Sequence, residues 1–236
     1  MPINVNGNEI NSVGAKVIAD SGLVTTNLSS LWDFGLNTCY PGSGTTLSNL
    51  AAGAQAWTLT NGPTYSTLGG GSLLFDGGND YLQYANAGSY TLLAAHTMYF
   101  WIKTSGDAGL HSHYSGGPVV HAMRIAGGKL AHSYYNTTWR ENYSSGATVT
   151  TNNWTMITYA MVSGTGTQTA YVNGVADWTF TIAGGHGNAS AGSIGSLWGY
   201  GYFGGYMGQI IEYNGTTHTA AQVLQNFNAT RQRYGV

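Results

Sequence analysis

The fold is decided by residues 206–236, which read YMGQIIEYNGTTHTAAQVLQNFNATRQRYGV. An apolar strand is followed by a turn at Asn214 and Gly215 and then by a short amphipathic helix. Thr219 can cap the helix by accepting from the free N–H groups of its first turn. The next residues have the i, i+3, i+4, i+7 spacing of one apolar helix face; they are Ala220, Val223, Leu224 and Phe227. The sequence predicts this one helix at the C-terminal end.

The other end of this helix is marked as clearly as its start. Arg231 and Arg233 fall in the last turn, where the helix dipole favours cations, and Gly235 can adopt the left-handed conformation that ends a helix. The sequence therefore predicts a helix from about residue 220 to residue 234.

Elsewhere the apolar residues alternate with a period of two, which is typical of strands. Residues 97–103 place Met98, Phe100 and Ile102 on one face, and residues 154–162 place four others on one face, namely Trp154, Met156, Thr158 and Ala160. Gly supplies 36 of 236 residues, aromatic residues 13% and charged residues only 7%. Many short strands separated by Gly and Asn predict a two-sheet antiparallel β-sandwich.

Eight short stretches carry a family resemblance. They are residues 40–46 (YPGSGTT), 61–65 (NGPTY), 70–81 (GGSLLFDGGNDY), 153–158 (NWTMIT), 170–174 (AYVNG), 193–195 (SIG), 208–212 (GQIIE) and 225–235 (QNFNATRQRYG). In this order they resemble the laminin-G-like domains of the concanavalin A-like lectin/glucanase superfamily, particularly those in structural proteins of tailed bacteriophages. The resemblance implies an all-β fold: a concanavalin A-like jelly roll with one short C-terminal helix, over residues 21–236.

Residues 1–20 precede the stretches that resemble the family. Their apolar positions and a turn signal at residues 6 and 7 are consistent with a β-hairpin. We interpret them as an arm that attaches the domain to another subunit through Ile3, Val5, Ile10 and Val17. The alternative is an additional edge strand of the sandwich.

Composition excludes several classes of partner. With a net charge of −2 and seven Lys and Arg residues, the chain lacks the basic surface that nucleic acid requires. No apolar run is long enough to span a bilayer, and Cys39 alone cannot form an internal disulfide framework. The N-terminus lacks the basic start and apolar core of a secretory signal, so we expect no Sec export if the chain is complete.

The low charge also bears on assembly. Strand edges with few charges to protect them tend to pair with other chains, so we expect a homo-oligomer that also contacts other proteins. An extracellular appearance without an export signal fits a protein assembled in a host cytoplasm and released at lysis. We therefore expect a phage structural protein on the surface of the virion, in contact with other capsid or tail proteins.

The acidic residues do not suggest catalysis. Retaining glycosidases need two carboxyl groups about 5–5.5 Å apart. The closest pair of acids along the chain, Asp76 and Asp80, spans a Gly-Gly-Asn turn instead of sharing one face of a strand. We predict no catalytic residues and a protein that is not an enzyme, with a carbohydrate-active enzyme as the less favoured alternative.

Two groups of residues could bind a metal. Asp76, Asn79 and Asp80 could supply oxygen ligands for calcium, although such side chains also stabilise turns by bonding to their own backbone. His111 and His113 could face one metal if they lie on a strand, but their glycine-rich flanks favour a loop. No other cofactor is expected.

Aromatic residues interleaved with polar ones are typical of lectin sites, because sugars present both apolar C–H faces and hydroxyl groups. Two stretches, 134–143 and 197–206, have this character. We predict that they contact glycans through Tyr135, Asn136, Trp139, Arg140, Tyr143, Trp198, Tyr200 and Tyr202. The alternatives are that these aromatic residues fill the core or a subunit interface, and that the chain is primarily an adhesin that recognises host glycans.

Overall fold

The computed structural model describes most of the chain. The described residues are 22–51, 57–85, 95–114, 119–136, 138–146, 149–162, 166–182, 191–197 and 201–236. The predicted attachment arm, with Ile3, Val5, Ile10 and Val17, lies outside these residues.

Two antiparallel sheets face each other, as the sequence predicts. In the described part of the chain, sheet 1 contains eight strands in the order β14-β13-β12-β7-β16-β5-β4, and β1 pairs with the second half of β16. The strands of sheet 1 are β1 (Leu28–Asp33), β4 (Thr64–Ser66), β5 (Ser72–Asp76), β7 (His96–Thr104), β12 (Thr155–Met161), β13 (Gly166–Val172), β14 (Val175–Ile182) and β16 (Gly204–Asn214).

Sheet 2 also has eight strands among the described residues, in the order β11-β10-β9-β8-β15-β6-β3-β2. They are β2 (Thr46–Leu47), β3 (Trp57–Thr60), β6 (Tyr81–Ala85), β8 (Ala108–Tyr114), β9 (Val119–Ala126), β10 (Lys129–Asn136), β11 (Thr138–Tyr143) and β15 (Ala191–Ile194). The chain passes from one sheet to the other at several connections, such as β5 to β6 and β7 to β8. These crossovers confirm the jelly-roll arrangement of a concanavalin A-like sandwich.

Strand β7 shows how the alternating pattern is used. Met98, Phe100 and Ile102 share the face that points between the sheets, as predicted, while Trp101 points outwards and stacks on Tyr234 with ring centroids 4.2 Å apart. The residues predicted to share one face of β12, among them Met156, lie on this outer face, because Met156 is paired with Trp101 of β7. Both faces of the central strands are therefore buried.

The C-terminal helix α1 (Ala220–Tyr234) packs on part of the outer face of sheet 1, where Phe227 and Tyr234 stack on Trp101. Thr219 and Gln222 form a capping box at its start, and Gly235 ends it in the left-handed conformation, as predicted. No helix among the described residues combines the length and the apolar character that crossing a membrane requires.

The predicted apolar stripe of α1 is only partly right. Val223 and Phe227 are buried, but Leu224 is 44% exposed and Ala220 is exposed too. The buried face of the helix includes a polar residue instead, Asn226. Its side chain accepts a hydrogen bond from the backbone N–H of Val24 and donates one to the hydroxyl of Tyr213. The helix is therefore held on the sheet by a buried amide as well as by apolar packing.

The segment around His111 and His113 is a second correction. Its glycine-rich flanks favour a loop, yet both residues lie in strand β8, with their rings 4.2 Å apart and buried between the sheets. The strand contains a glycine at position 109 because residues 197 and 201 pass close to its backbone. A Cβ there would lie 2.7 Å from the side chain of Leu197 and 2.8 Å from the carbonyl oxygen of Gly201.

Candidate functional site

A polar groove crosses the outer face of sheet 1 beside the C-terminal end of α1. It consists of two cavities of about 410 and 450 Å³ that share Lys103 and Asn152. Side chains that line the first cavity include Asn61, Thr64, Asp76, Ser105 and Tyr206. Those that line the second include Thr150, Asn153, Trp154, Asn173 and Tyr234. Together the cavities form one continuous surface rich in amides, hydroxyls and aromatic rings.

The floor of the first cavity is a row of residues that lie opposite one another on four neighbouring strands. Thr64 of β4 is paired with Leu74 of β5, which is paired with Tyr206 of β16, which in turn is paired with Lys103 of β7. Directly opposed residues have Cβ atoms about 4.5–5.5 Å apart on the same face. The register of sheet 1 therefore places the half-buried side chain of Tyr206 between those of Leu74 and Lys103 on the outer face.

Three turns at one end of the sandwich form the walls. Asn61, Asn152 and Asn173 all have positive φ angles, of 64°, 62° and 49°. Asparagine adopts this left-handed conformation more readily than other residues with a side chain. The amide of Asn61 donates to the carbonyl of Asn79, and that of Asn173 accepts from the N–H of Met156. These bonds fix the walls of the groove.

Two side chains where the cavities meet are available to a ligand. Neither Lys103 nor Asn152 uses its side chain in a hydrogen bond within the described part of the chain. The backbone N–H of Asn152 donates to the carbonyl of Thr104, which leaves the amide side chain available. An ammonium group offers three donors, and an amide offers two donors and an acceptor. With Tyr206 on one side and the half-buried ring of Trp154 on the other, the groove combines aromatic faces with free polar groups.

The predicted calcium ligands lie at the edge of the first cavity. Asp76 accepts hydrogen bonds from the N–H groups of Gly78 and Asn79, at 2.7 and 3.2 Å, and these bonds lower the pKa of its carboxyl group. Asp80 accepts from the N–H of Asp76 at 3.0 Å, and burial raises the pKa of its carboxyl group. Both carboxyl groups thus stabilise the turn itself, the alternative that the sequence left open.

Calcium binding by Asp76, Asn79 and Asp80 stays a prediction. Among the described residues, no group of three or more His, Cys, Asp or Glu side chains is placed to hold a metal ion. Main-chain carbonyls, on which a calcium site at this turn would also depend, are not part of such a group.

The first predicted glycan surface lies on β11, at the edge of sheet 2. Its best-defined part is an exposed network in which Arg124 donates to Glu141 at 2.7 Å and to the hydroxyl of Tyr143 at 2.9 Å. That hydroxyl donates to the second carboxylate oxygen of Glu141, and Ser133 donates to the first. The hydrogen bond from Tyr143 and the charge of Arg124 lower the pKa of Glu141. These groups bond to one another, which leaves less hydrogen-bonding capacity for a ligand.

The other predicted contact residues fall in different places. Arg140 is exposed on β11, where it is paired with Tyr134 instead of joining the network. Tyr202 is half-buried against Tyr81, with ring centroids 6.4 Å apart. Trp198 and Tyr200 lie outside the described residues, as do the side chains of three residues whose backbones belong to β10 and β11, namely Tyr135, Asn136 and Trp139. The described residues therefore do not test whether the two aromatic stretches form one surface.

Sequence reasoning missed the groove as a site, although signals for it were present. Tyr206 is the last aromatic residue of the stretch 197–206, and Trp154 begins a predicted strand. Three Asn-containing turns also stood out, around Asn61, Asn152 and Asn173. Nothing in the sequence shows that these turns meet at one end of the sandwich, because the strands between them differ in length and change sheets.

This architecture defines a class, the two-sheet lectin-like sandwiches with a helix packed on one face. A family model described as the concanavalin A-like lectin/glucanases superfamily, Laminin_G_3, matches residues 76–223. The chain therefore belongs to this superfamily. A comparison with curated protein sequences gave no match.

Solved structures share the fold at low sequence identity. Domain 4 of AbnA, a GH43 extracellular arabinanase from Geobacillus stearothermophilus solved with arabinotriose, has a TM-score of 0.64 and 16% identity over 85% of this chain and 98% of its own. A botulinum neurotoxin type C structure has a TM-score of 0.64 and 10% identity over 90% of this chain. Trypanosoma rangeli sialidase in complex with sialic acid has a TM-score of 0.63 and 11% identity over 89% of this chain.

The extent of these matches differs. This chain spans 53% of the length of the neurotoxin chain and 34% of that of the sialidase, but nearly the whole of the arabinanase domain. At such identities the likeness shows a common fold and nothing about the site.

Proposed function

We propose that this chain is a non-catalytic carbohydrate-binding protein and that the groove across sheet 1 is its binding site. The observation that carries the proposal is the arrangement at the junction of the two cavities. There the half-buried ring of Tyr206 lies beside Lys103 and Asn152. The side chains of these two residues make no hydrogen bond in the described part of the chain. A sugar ring can stack its C–H face on the tyrosine while its hydroxyl groups bond to the lysine and the amide.

The fold neighbours support this class of ligand. The arabinanase domain was solved with arabinotriose, cell entry of botulinum neurotoxin type C depends upon interaction with two ganglioside molecules, and the sialidase was solved with sialic acid. All three ligands contain sugars. Since the arabinanase domain is covered almost completely by this chain, a short oligosaccharide such as arabinotriose is the first ligand to test.

The proposal that the protein is not an enzyme rests on how its carboxyl groups are used. Asp33 is paired with Arg233, and Glu141 with Arg124. Glu212 is buried, while Asp76 and Asp80 both accept backbone hydrogen bonds within one turn. A glycosidase needs a carboxylate and a carboxylic acid that are free to reach the two sides of a glycosidic bond.

Binding is tested with a glycan array followed by calorimetric titration with arabinotriose or the best array ligand. We expect Tyr206→Ala to weaken binding about tenfold, since stacking on one aromatic ring contributes about 1–1.5 kcal/mol. The matched control is Tyr143→Ala, which removes an exposed tyrosine from the other predicted surface and leaves the groove intact. A loss with Tyr143→Ala and none with Tyr206→Ala would move the site to the edge of sheet 2.

Hydrolysis is tested in the same samples. We expect arabinotriose and the array ligand to remain intact after prolonged incubation with the wild-type protein. Release of sugar that is abolished by both Asp76→Asn and Asp80→Asn would instead assign catalysis to the turn beside the groove.

We further propose that the domain acts on the surface of a phage particle as a structural protein, with residues 1–20 as its attachment arm. The resemblance to phage domains and the low charge, which leaves strand edges poorly protected, support this role. Deleting residues 1–20 is expected to leave a folded sandwich that no longer joins its assembly, measured by native mass and electron microscopy of the full-length and shortened proteins. A full-length protein that is a monomer but binds glycans would favour the adhesin instead.

A further inference from the structure

Five of the seven histidines of the chain lie together between the two sheets. His96 comes from β7 of sheet 1, and the other four come from three adjacent strands of sheet 2; they are His111, His113, His121 and His132. None is more than 1% exposed. Histidine is usually found at intermediate exposure, so five fully buried copies in one core are unusual.

The rings form one continuous cluster around His121. The centroid of its ring lies 4.4 Å from that of His132, 6.1 Å from that of His113, 6.2 Å from that of His111 and 6.3 Å from that of His96. Phe100 and Phe180 pack against the cluster from sheet 1, with centroids 6.3 Å from His111 and 4.7 Å from His132. The imidazoles therefore fill space that apolar side chains fill in an ordinary sandwich core.

One hydrogen bond in the cluster requires that at least one of its two rings be uncharged. Nε2 of His132 lies 2.8 Å from Nδ1 of His121, so one of these nitrogens must donate a hydrogen bond and the other must accept it. A protonated imidazole has two donors and no acceptor. Protonation of both rings would remove the acceptor and place two positive charges in contact.

We propose that the five interior histidines make the packing of the two sheets acid-sensitive, so that the sandwich is closed while the imidazoles are neutral and opens cooperatively when they are protonated. Each ring belongs to a strand that forms part of the interior, and four of them occupy three adjacent strands. Charges there would repel one another in a space that water does not reach. Opening would separate β8, β9 and β10 from the inner face of sheet 1.

The other titratable groups that face the cluster do not balance such charges. Tyr134 of β10 and Tyr159 of β12 are buried, and burial raises the pKa of Tyr159, so it is neutral in acid. Glu212 of β16 is 1% exposed and is paired with Met98 on the interior face. Asp177 of β14 is close enough to Tyr159 to raise its pKa further. Two carboxylates can compensate for two imidazolium ions but not for five.

The direction of the pH effect follows from burial. Burial, and after it the proximity of His96, lowers the pKa of His111 to about 3. In the unfolded chain a histidine has a pKa of about 6.5. Because this pKa is lowered in the folded state, the neutral buried histidine stabilises the fold fully above about pH 6.5. That stabilisation is lost as the pH falls towards 3, since in this range the unfolded chain binds more protons than the native one.

The first test follows the imidazole Cε1–H signals of the wild-type protein by NMR from about pH 8 downwards. We expect five of them to keep their chemical shifts until all native signals disappear together, at a pH well above that at which a single buried histidine would be protonated. If two or more of the five titrate near pH 6.5 while the native spectrum persists, the proposal is wrong. This experiment does not depend on any variant.

The second test measures urea unfolding at several pH values between about 7.5 and 4.5. The dependence of the unfolding constant on pH gives the number of protons taken up, and we expect about three or more near pH 5. His218→Gln is the matched control, because His218 is buried outside the cluster, just before α1, with Nδ1 2.6 Å from the hydroxyl of Tyr99. The variant should reduce proton uptake by at most about one; an uptake of one proton or fewer in the wild type would overturn the proposal.

Discussion

Arg233 in the last turn of α1 forms an ion pair with Asp33 at the end of β1, with Nη1 and Oδ2 2.5 Å apart. The two residues are 200 positions apart in the chain. The same guanidinium group also donates to the carbonyls of Gly69 and Gly71 at 2.7 and 2.8 Å. One side chain therefore ties the C-terminal helix to β1 and to the 3-10 turn Leu68–Gly70 before β5.

Replacing Arg233 should be costly. Arg233→Met leaves the nearly buried carboxylate of Asp33 without its cationic partner, and we expect the free energy of unfolding to fall by about 3 kcal/mol. Arg231→Met is the control, because Arg231 lies in the same turn but is exposed; it should change stability by less than about 0.5 kcal/mol. Urea unfolding measures the loss of stability in both variants. Equal losses would show that these arginines stabilise the fold through the helix dipole and not through the ion pair.

Gly71 should tolerate no side chain. Its φ angle is 116°, and a Cβ there would lie 2.2 Å from the Cα of Gly35. We expect Gly71→Ala to cost more than about 4 kcal/mol or to prevent folding, because two backbone segments would have to separate. Gly42 also has a positive φ, of 88°, but has nothing within 4 Å of the added Cβ, so Gly42→Ala should cost only about 1 kcal/mol. Thermal unfolding of the two variants separates the cost of a steric clash, present only in Gly71→Ala, from the cost of a positive φ angle, present in both.

Cys39 should be unreactive in the folded protein. It is buried, and burial raises the pKa of its thiol to about 12, so almost no thiolate is present at neutral pH. We expect an aromatic disulfide reagent to react with Cys39 only after unfolding, with a rate that follows the urea transition. Rapid reaction without denaturant would show that the region around Cys39 opens locally.

Tyr143 should control the titration of Glu141. Its hydroxyl is the largest cause of the lowered pKa of Glu141, so Tyr143→Phe should move that pKa up towards its ordinary value of 4.5. A lowered carboxyl pKa stabilises the fold above 4.5, and the effect is lost as the pH falls through the pKa of the folded state. Because the site is partly exposed, we expect a change in stability below about 1 kcal/mol.

Carbon NMR of the Glu141 carboxyl group measures this pKa directly. Tyr65→Phe serves as the control, since Tyr65 is exposed on β4 in the other sheet and makes no contact with Glu141. An unchanged Glu141 pKa in Tyr143→Phe would mean that Arg124 and Ser133, not Tyr143, are responsible for the shift.

The fold could be predicted from the sequence because its signals are local. The alternation around Met98, Phe100 and Ile102 selects a strand buried on its inner face, and Thr219 and Gly235 mark the two ends of α1. Such patterns depend on backbone geometry and on neighbours within a few residues. The same reasoning failed at Gly109, where a close approach of residues 197 and 201 decides the conformation.

The sequence by itself thus determined a lectin-like sandwich with one C-terminal helix, and it singled out two aromatic stretches as candidate surfaces. Only the tertiary structure brought Lys103, Asn152 and Tyr206 to one groove and placed His96 against His121, because strand register and crossovers between sheets join residues that are far apart in the chain. Those pairings depend on how the whole core fills space, which no local pattern encodes.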